Sequence, residues 1–154
     1  MNELQSFYQL ASDFCKFVHE EIQSEETLDT LISFLMRLYL SAMALPQPKL
    51  EKEWPKRRRT ASGEIRFQPD MQIRYRLVFD PLEEGPPISF TLKGDLTDIV
   101  SDLQYGIEAY ESGLVGRASY IWRYYSEFHW GNHAVDAIRV LHAMRRNRTV
   151  KTWG

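Results

Sequence analysis

YIWRYYSEFHWGNHAVDAIRVLHAM, from Tyr120 to Met144, is the stretch whose reading decides this chain. Its apolar and aromatic residues recur at three- and four-residue steps, the period of an amphipathic helix. The same steps put His129, His133 and Asp136 on one stripe beside the apolar face. A helix is expected from near Gly116 to about Arg146, with Gly131 placed to kink or split it. Such a stripe is either a site or a buried hydrogen-bond device.

Working back toward the N-terminus, helical periodicity is present at Leu96, Ile99, Val100, Leu103, Ile107 and Tyr110 and stops at Ser112-Gly113. If this helix and the next form an antiparallel hairpin turning near Leu114, residues equally distant from the turn lie side by side. Asp98 then falls level with Gly131 and Asp95 with Ala134. Asp95, Asp98 and Asp102 themselves stand at steps of three and four, so carboxylates and imidazoles are presented at one height.

A carboxylate bonded to one imidazole nitrogen fixes the tautomer and raises basicity, an arrangement used for metal ligation and for general-base catalysis. The candidate catalytic or metal-ligating residues are therefore Asp98, Asp102, His129 and His133. The wider polar cluster is Asp95, Asp98, Asp102, Trp122, His129, Trp130, His133 and Asp136. Against chemistry stands the reading in which Asp–His, Tyr–Asp and Trp–carbonyl bonds merely satisfy polar groups at the edge of a tight bundle. The Glu-x-x-His ligand pattern of bundle metal sites is missing, so no cofactor is expected and a divalent metal is kept only as the alternative.

The rest of the chain frames that hairpin. Leu4, Phe7, Tyr8, Ala11, Phe14, Cys15, Val18 and Ile22 repeat at helical steps and predict helix one. Ser24 is placed to cap a second helix, with Glu25 and Glu26 near the positive end of its dipole and Pro46 and Pro48 as the stop. Within it, Leu31 to Leu45 is the most apolar run, but at 15 residues with Arg37 inside it falls short of the roughly 20 that cross a bilayer. No membrane association is expected.

Between 46 and 92 the helical period disappears, and all seven prolines lie there. Ile73, Tyr75, Leu77 and Phe79 alternate with Arg74, Arg76 and Val78, which suits a half-exposed strand. Its expected partner is Glu64 to Phe67 across the Gln68-Pro69-Asp70 turn. Residues 46 to 70 should be the least ordered part of the chain and add little to the core.

Composition limits the classes. One domain spanning 1–154 is expected, since 154 residues with 44% hydrophobic and 26% charged content can bury a core unaided. A single cysteine, Cys15, set among Phe14, Phe17 and Val18, can make no intramolecular disulfide, points to a reducing cytoplasm, and reads as a small core residue. Met1 to Ile22 has no basic start and carries acids throughout, so no secretory signal is read there. The net charge of −2 hides blocks: −6 over residues 1–30, +5 over 49–76, −7 over 77–138 and +5 over 139–154. Acidic and basic blocks can satisfy one another within the fold or across a dimer.

The run Lys56-Arg57-Arg58-Arg59 beside Trp54, and Arg145, Arg146, Arg148 and Lys151 toward the basic tail at 147–154, could grip phosphate. Without a reader motif, nucleic acid is not the expected partner. Trp122, Tyr124, Tyr125, Phe128 and Trp130 could stack bases, but aromatics at helical spacing are far more often core. No nucleophile elbow, phosphate loop or dinucleotide fingerprint occurs.

Phe79-Asp80-Pro81, GDLTDIVSDLQYGI from Gly94, Trp122, and FHWGNHAVDAIRVLHA from Phe128 together resemble a bacterial family of uncharacterised proteins, domain of unknown function 5063. The likeness is good over about residues 75 to 144 and looser over helices one and two. It falls on Asp95, Asp98, Asp102, Trp122, His129, Trp130, Gly131, His133 and Asp136, the positions the helix geometry selects. The chain departs with Gly94 where the pattern tends to another aspartate, and Val100 where it tends to tyrosine. The resemblance implies a bacterial cytoplasmic setting and no reaction.

The expected architecture is mainly α: a bundle of four principal helices with an irregular or short β-hairpin insertion between helices two and three. The expected function is a non-catalytic interaction or structural module whose partner is another protein or a second copy, as a homodimer. The alternative is a metal-dependent or acid/base enzyme using the Asp/His cluster between the last two helices.

Overall fold

The structure is a computed structural model and describes residues 1–47 and 63–153, the side chain of Trp153 excepted. It is mainly α, with five helices and one two-stranded sheet among the described residues. Helix α1, Glu3–Glu20, is fixed at its start by a reciprocal cap between Asn2 and Gln5, and buries Phe7, Leu10, Ala11, Phe14, Cys15 and Val18. Ser24 caps a 3-10 turn, Glu25–Thr27, that leads into α2, Leu28–Met43. Every third or fourth residue of α2, from Leu28 through Leu31, Leu35 and Leu38 to Ala42, is buried.

Strand β1, Arg74–Leu77, is antiparallel to β2, Ile88–Thr91, with Tyr75 opposite Phe90. The expected pairing of β1 with Glu64–Phe67 is not the one formed. Gln68-Pro69-Asp70 opens into a 3-10 turn, Pro69–Met71, instead of a tight hairpin turn. The segment before it runs back to the α1–α2 junction, where Gln23 donates to Arg66 O at 2.8 Å and accepts from Gln68 N at 2.8 Å. That contact buries Ile65 and packs Phe67 on the core, so the described end of the proline-rich segment contributes more than expected. The basic run Lys56–Arg59 and the expected disorder before Gly63 lie outside the described residues.

Strand β2 passes directly into α3, Leu92–Glu111, with Thr91 as its N-cap. The expected fourth helix divides at His129 into α4, Val115–Phe128, and α5, Trp130–Trp153. The cause is Gly131. A Cβ there would lie 1.8 Å from Ser126 O, so only glycine lets the start of α5 lie against the end of α4. Helix α5 also runs on through the segment read as a basic tail. Arg145 and Arg148 reach Asp29 at 2.9 and 3.4 Å, so the last basic block and the first acidic block meet within one chain.

Helix α3 is central, packed on α1, α4 and α5, and α2 closes the other side against α5. Trp122 and Trp130 are wholly buried at the crossing. Trp122 donates to Leu103 O and Trp130 to Trp122 O, each at 3.1 Å, so both indoles are satisfied by carbonyls. Gly106 makes the α3–α4 approach: a Cβ would stand 2.1 Å from Trp122 Nε1. Arg123 binds the end of α2 to α4, donating from Nη1 to Met43 O at 2.6 Å and Leu45 O at 3.2 Å. No helix among the described residues is long and apolar enough to cross a membrane.

Candidate functional site

Three successive acids on α3 face the α4–α5 corner. Asp95 is 1% exposed and Asp102 is fully buried, whereas Asp98 opens to solvent. A buried carboxylate must find strong donors, because an isolated charge in an apolar surround is expensive. Each buried aspartate has an imidazole: His129 Nδ1 lies 2.5 Å from Asp102 Oδ2, and His133 Nδ1 lies 2.8 Å from Asp95 Oδ1. His129 is the residue at which α4 ends, with φ −145° and ψ −83°, so the helix break itself aims its ring at α3. His133 follows in the first turn of α5.

The second nitrogen of His133 is the informative one. Its Nε2 lies 3.2 Å from Asp98 Oδ2. Ionised Asp95 can only accept, so the hydrogen of the neutral ring sits on Nδ1 and the Nε2 lone pair faces another acceptor. Two lone pairs at that distance repel. The arrangement calls for a positive charge, either a proton on Nε2 or a cation between His133 and Asp98.

Helix α5 and the sheet complete the surroundings. Tyr75, on the inward face of β1, donates its hydroxyl to Asp95 Oδ2, so Asp95 is clamped between strand and helix. Burial, the bond to Asp95, and the charges of Asp95 and Asp136 all push the Tyr75 hydroxyl up, keeping it a donor. Burial and the charge of Asp95 also raise Asp136, against the opposing pull of His133. For His133, burial pulls the value down. The bond to Asp95 and the charges of Asp98, Asp95 and Asp136 outweigh it, and the net direction is up.

One ligand atom from each of Asp98, His129 and His133 lies within 4.8 Å of the other two. The two imidazoles are 5.0 Å apart at their centroids and nearly perpendicular. Ligand atoms around a tetrahedral ion with bonds of about 2.0 Å stand about 3.3 Å apart, a contraction that side-chain rotation can supply. The histidines open on a cleft of ≈ 230 Å³, walled by Phe79, Phe90 and Phe128 and carrying Asp80 and Asp136.

The expected cluster therefore divides. Asp95, Asp98, Asp102, His129, His133 and Asp136 come together, and the expected approach of the two stripes is present. Trp122 and Trp130 stay in the core as carbonyl donors. Tyr75 is the member that helix periodicity misses. Its signal was the strand alternation that turns it inward while Arg74 and Arg76 turn out.

The chain matches the model of the family described as domain of unknown function 5063 over residues 1–147, and it belongs to that family. Protein BF1032 from Bacteroides fragilis, known as a crystal structure, is similar with a TM-score of 0.71 at 22% identity, over 93% of this chain and 92% of that one. At that identity the likeness speaks for the fold alone. No curated protein matches the chain.

Proposed function

We propose that this member of the family binds a first-row divalent metal ion through His129, His133 and Asp98. Its function would then be metal-dependent catalysis, with hydrolysis as the reaction class. The observation that carries the reading is His133 Nε2 set 3.2 Å from Asp98 Oδ2 while its Nδ1 is engaged by Asp95. It reverses the preference that the sequence alone suggests, a purely structural polar cluster.

Both histidines have the outer support that metal ligands need. Asp102 holds Nδ1 of His129 and Asp95 holds Nδ1 of His133, which leaves the Nε2 atoms as the ligating ones, that of His133 beside Asp98. Two imidazoles and one carboxylate suit zinc, iron(II) or manganese better than calcium or magnesium. Three protein ligands leave coordination positions open, the pattern of catalytic and not of structural sites. A bound ion would supply Lewis acidity. Asp136, raised by burial and standing in the same cleft, is placed to hold or release a proton beside it.

Elemental analysis of the natively purified protein, followed by calorimetric titration of metal-free protein with Zn²⁺ and Mn²⁺, tests the reading. One equivalent should bind, His133→Ala and His129→Ala should abolish binding, and Asp102→Asn should weaken it roughly 10–100-fold. Wild-type protein that takes up neither ion leaves a protonated His133 as the bridging charge and overturns the proposal.

A second reading, an interaction module that pairs with another copy of itself, is favoured by the exposed stripe Met36, Leu40 and Met43 of α2 beside Val135 of α5. Residues 36, 40 and 43 share one helical face and can pack on their own two-fold mate. Sedimentation of wild type against Leu40→Asp tests this. A wild-type monomer at high concentration would exclude it.

A further inference from the structure

Two openings flank the candidate metal site, and their charges are opposite. The cleft on the histidine side carries Asp80 and Asp136 and is lined by no lysine or arginine among the described residues. On the Asp98 side lies a larger groove of ≈ 750 Å³, between the segment 64–67, β1 and the first turns of α3. Its walls carry Arg66, Arg74 and Lys93 against Glu64 and Asp98. Asp98 is thus the residue common to the groove and the ligand set.

Resting on the metal reading, we infer that this groove binds the anionic part of a phosphate-bearing small-molecule substrate and directs it to the ion at Asp98. Four features converge on that chemistry. The groove has the volume of an ordinary small-molecule site. An ion on Asp98 would offset one of the two acids that line the groove. Among the described residues Lys93 pairs with Glu64 at 3.8 Å, with both side chains more than half exposed, an exchange that an incoming phosphate can displace at little loss.

The fourth feature is the direction of α3. Thr91, Lys93 and Gly94 line the groove, so the positive end of a 20-residue helix adds to the charge of Arg74 and Lys93 on the same wall. Arg66 is held in place by donating from Nη2 to Glu20 O at 2.9 Å. The aromatic walls of the neighbouring cleft, Phe79, Phe90 and Phe128, then suit an uncharged organic group on the far side of the ion. A free ammonium group would meet Arg74 and Lys93 in the groove, so the groove discriminates against cations.

The test titrates Mn²⁺-loaded protein with phenyl phosphate, and with benzyl alcohol and benzylamine as neutral and cationic controls. Mn²⁺ affinity is measured separately on every variant. Phenyl phosphate should bind more tightly than both controls. Arg74→Glu and Lys93→Glu should each weaken it by at least about tenfold, the worth of one charged hydrogen bond, and leave Mn²⁺ affinity unchanged. Normal Mn²⁺ binding with phenyl phosphate affinity insensitive to both reversals, or with benzylamine preferred, overturns the groove and leaves the metal reading standing. Absence of Mn²⁺ and Zn²⁺ binding in wild type overturns both.

Discussion

His133 donates through Nδ1 to Asp95 across 2.8 Å, joining the first turn of α5 to the first turn of α3 over 38 residues of sequence. Asp95 is 1% exposed and also takes the Tyr75 hydroxyl, so removing its imidazole leaves a buried carboxylate with part of its donors lost. In metal-free protein, His133→Ala should destabilise by about 1–3 kcal/mol. Urea unfolding measures this, and a midpoint equal to wild type would mean that the pair is not coupled to folding. Tyr75→Phe should have a smaller effect in the same direction, since the strand packing of its ring is kept.

The same imidazole gives metal-free protein a pH dependence with a definite sign. Facing it are Asp95 and Asp98 from α3, Asp136 and His129 from the α4–α5 side, and Tyr75 through Asp95. Its folded value is raised above the ordinary 6.5, so the folded state holds the proton more tightly than the unfolded chain. The resulting stability is complete below the unfolded value and is lost as pH rises through the folded one. Asp136 is raised as well and acts with the same sign, but in the acid range above its ordinary 3.8. The unfolding free energy of metal-free wild type should therefore fall as pH rises above the ordinary imidazole value, and His133→Gln should flatten that fall. Parallel wild-type and mutant curves would contradict it.

Much of this site could be read from spacing. Helical steps place Asp95, Asp98 and Asp102 on one stripe and His129, His133 and Asp136 on another, and an antiparallel hairpin sets them level whatever the details of packing. The burial difference between Asp95 and Asp98 could not be read, because it depends on where β1 lies, and that strand pairs across a long connection with Ile88–Thr91. Strand pairing between distant segments leaves little local trace. For the same reason Glu64–Phe67 passed as a hairpin arm, although its hydrogen bonds go to Gln23. The break at His129 was half legible: Gly131 marked the place, but the close approach to Ser126 O that demands it is a tertiary fact.

Two glycines separate the packing of the fold from the geometry of the site. Gly106→Ala would drive a methyl into Trp122, whose Nε1 is bonded to Leu103 O. Gly131→Ala would drive one into the backbone of Ser126. Each should destabilise by about 1–3 kcal/mol through overpacking. The second change lies two residues from His129 and should also displace its ring from Asp102. Metal affinity, measured by Zn²⁺ titration of the folded variants, should fall in Gly131→Ala and stay near wild type in Gly106→Ala. Equal losses in both would mean that the α4–α5 corner does not set the ligand geometry.

Cys15 supplies a probe of opening that leaves the site untouched. It lies on the buried face of α1, and burial pushes its thiol up to about 12, so almost no thiolate exists at neutral pH and none is accessible. Native protein should not react with a disulfide reagent on the timescale of minutes, while urea-unfolded protein should react at the rate of a free thiol. Because α1 packs on α3 as well as on α2, exposure of Cys15 requires separation of the central helices, and its labelling should track global unfolding. A divalent ion that binds only the folded protein should slow the labelling by one plus the ratio of free ion concentration to Kd, a factor that keeps growing past saturation. Labelling that is fast in native protein, or that proceeds well below the urea midpoint, would show that α1 detaches on its own.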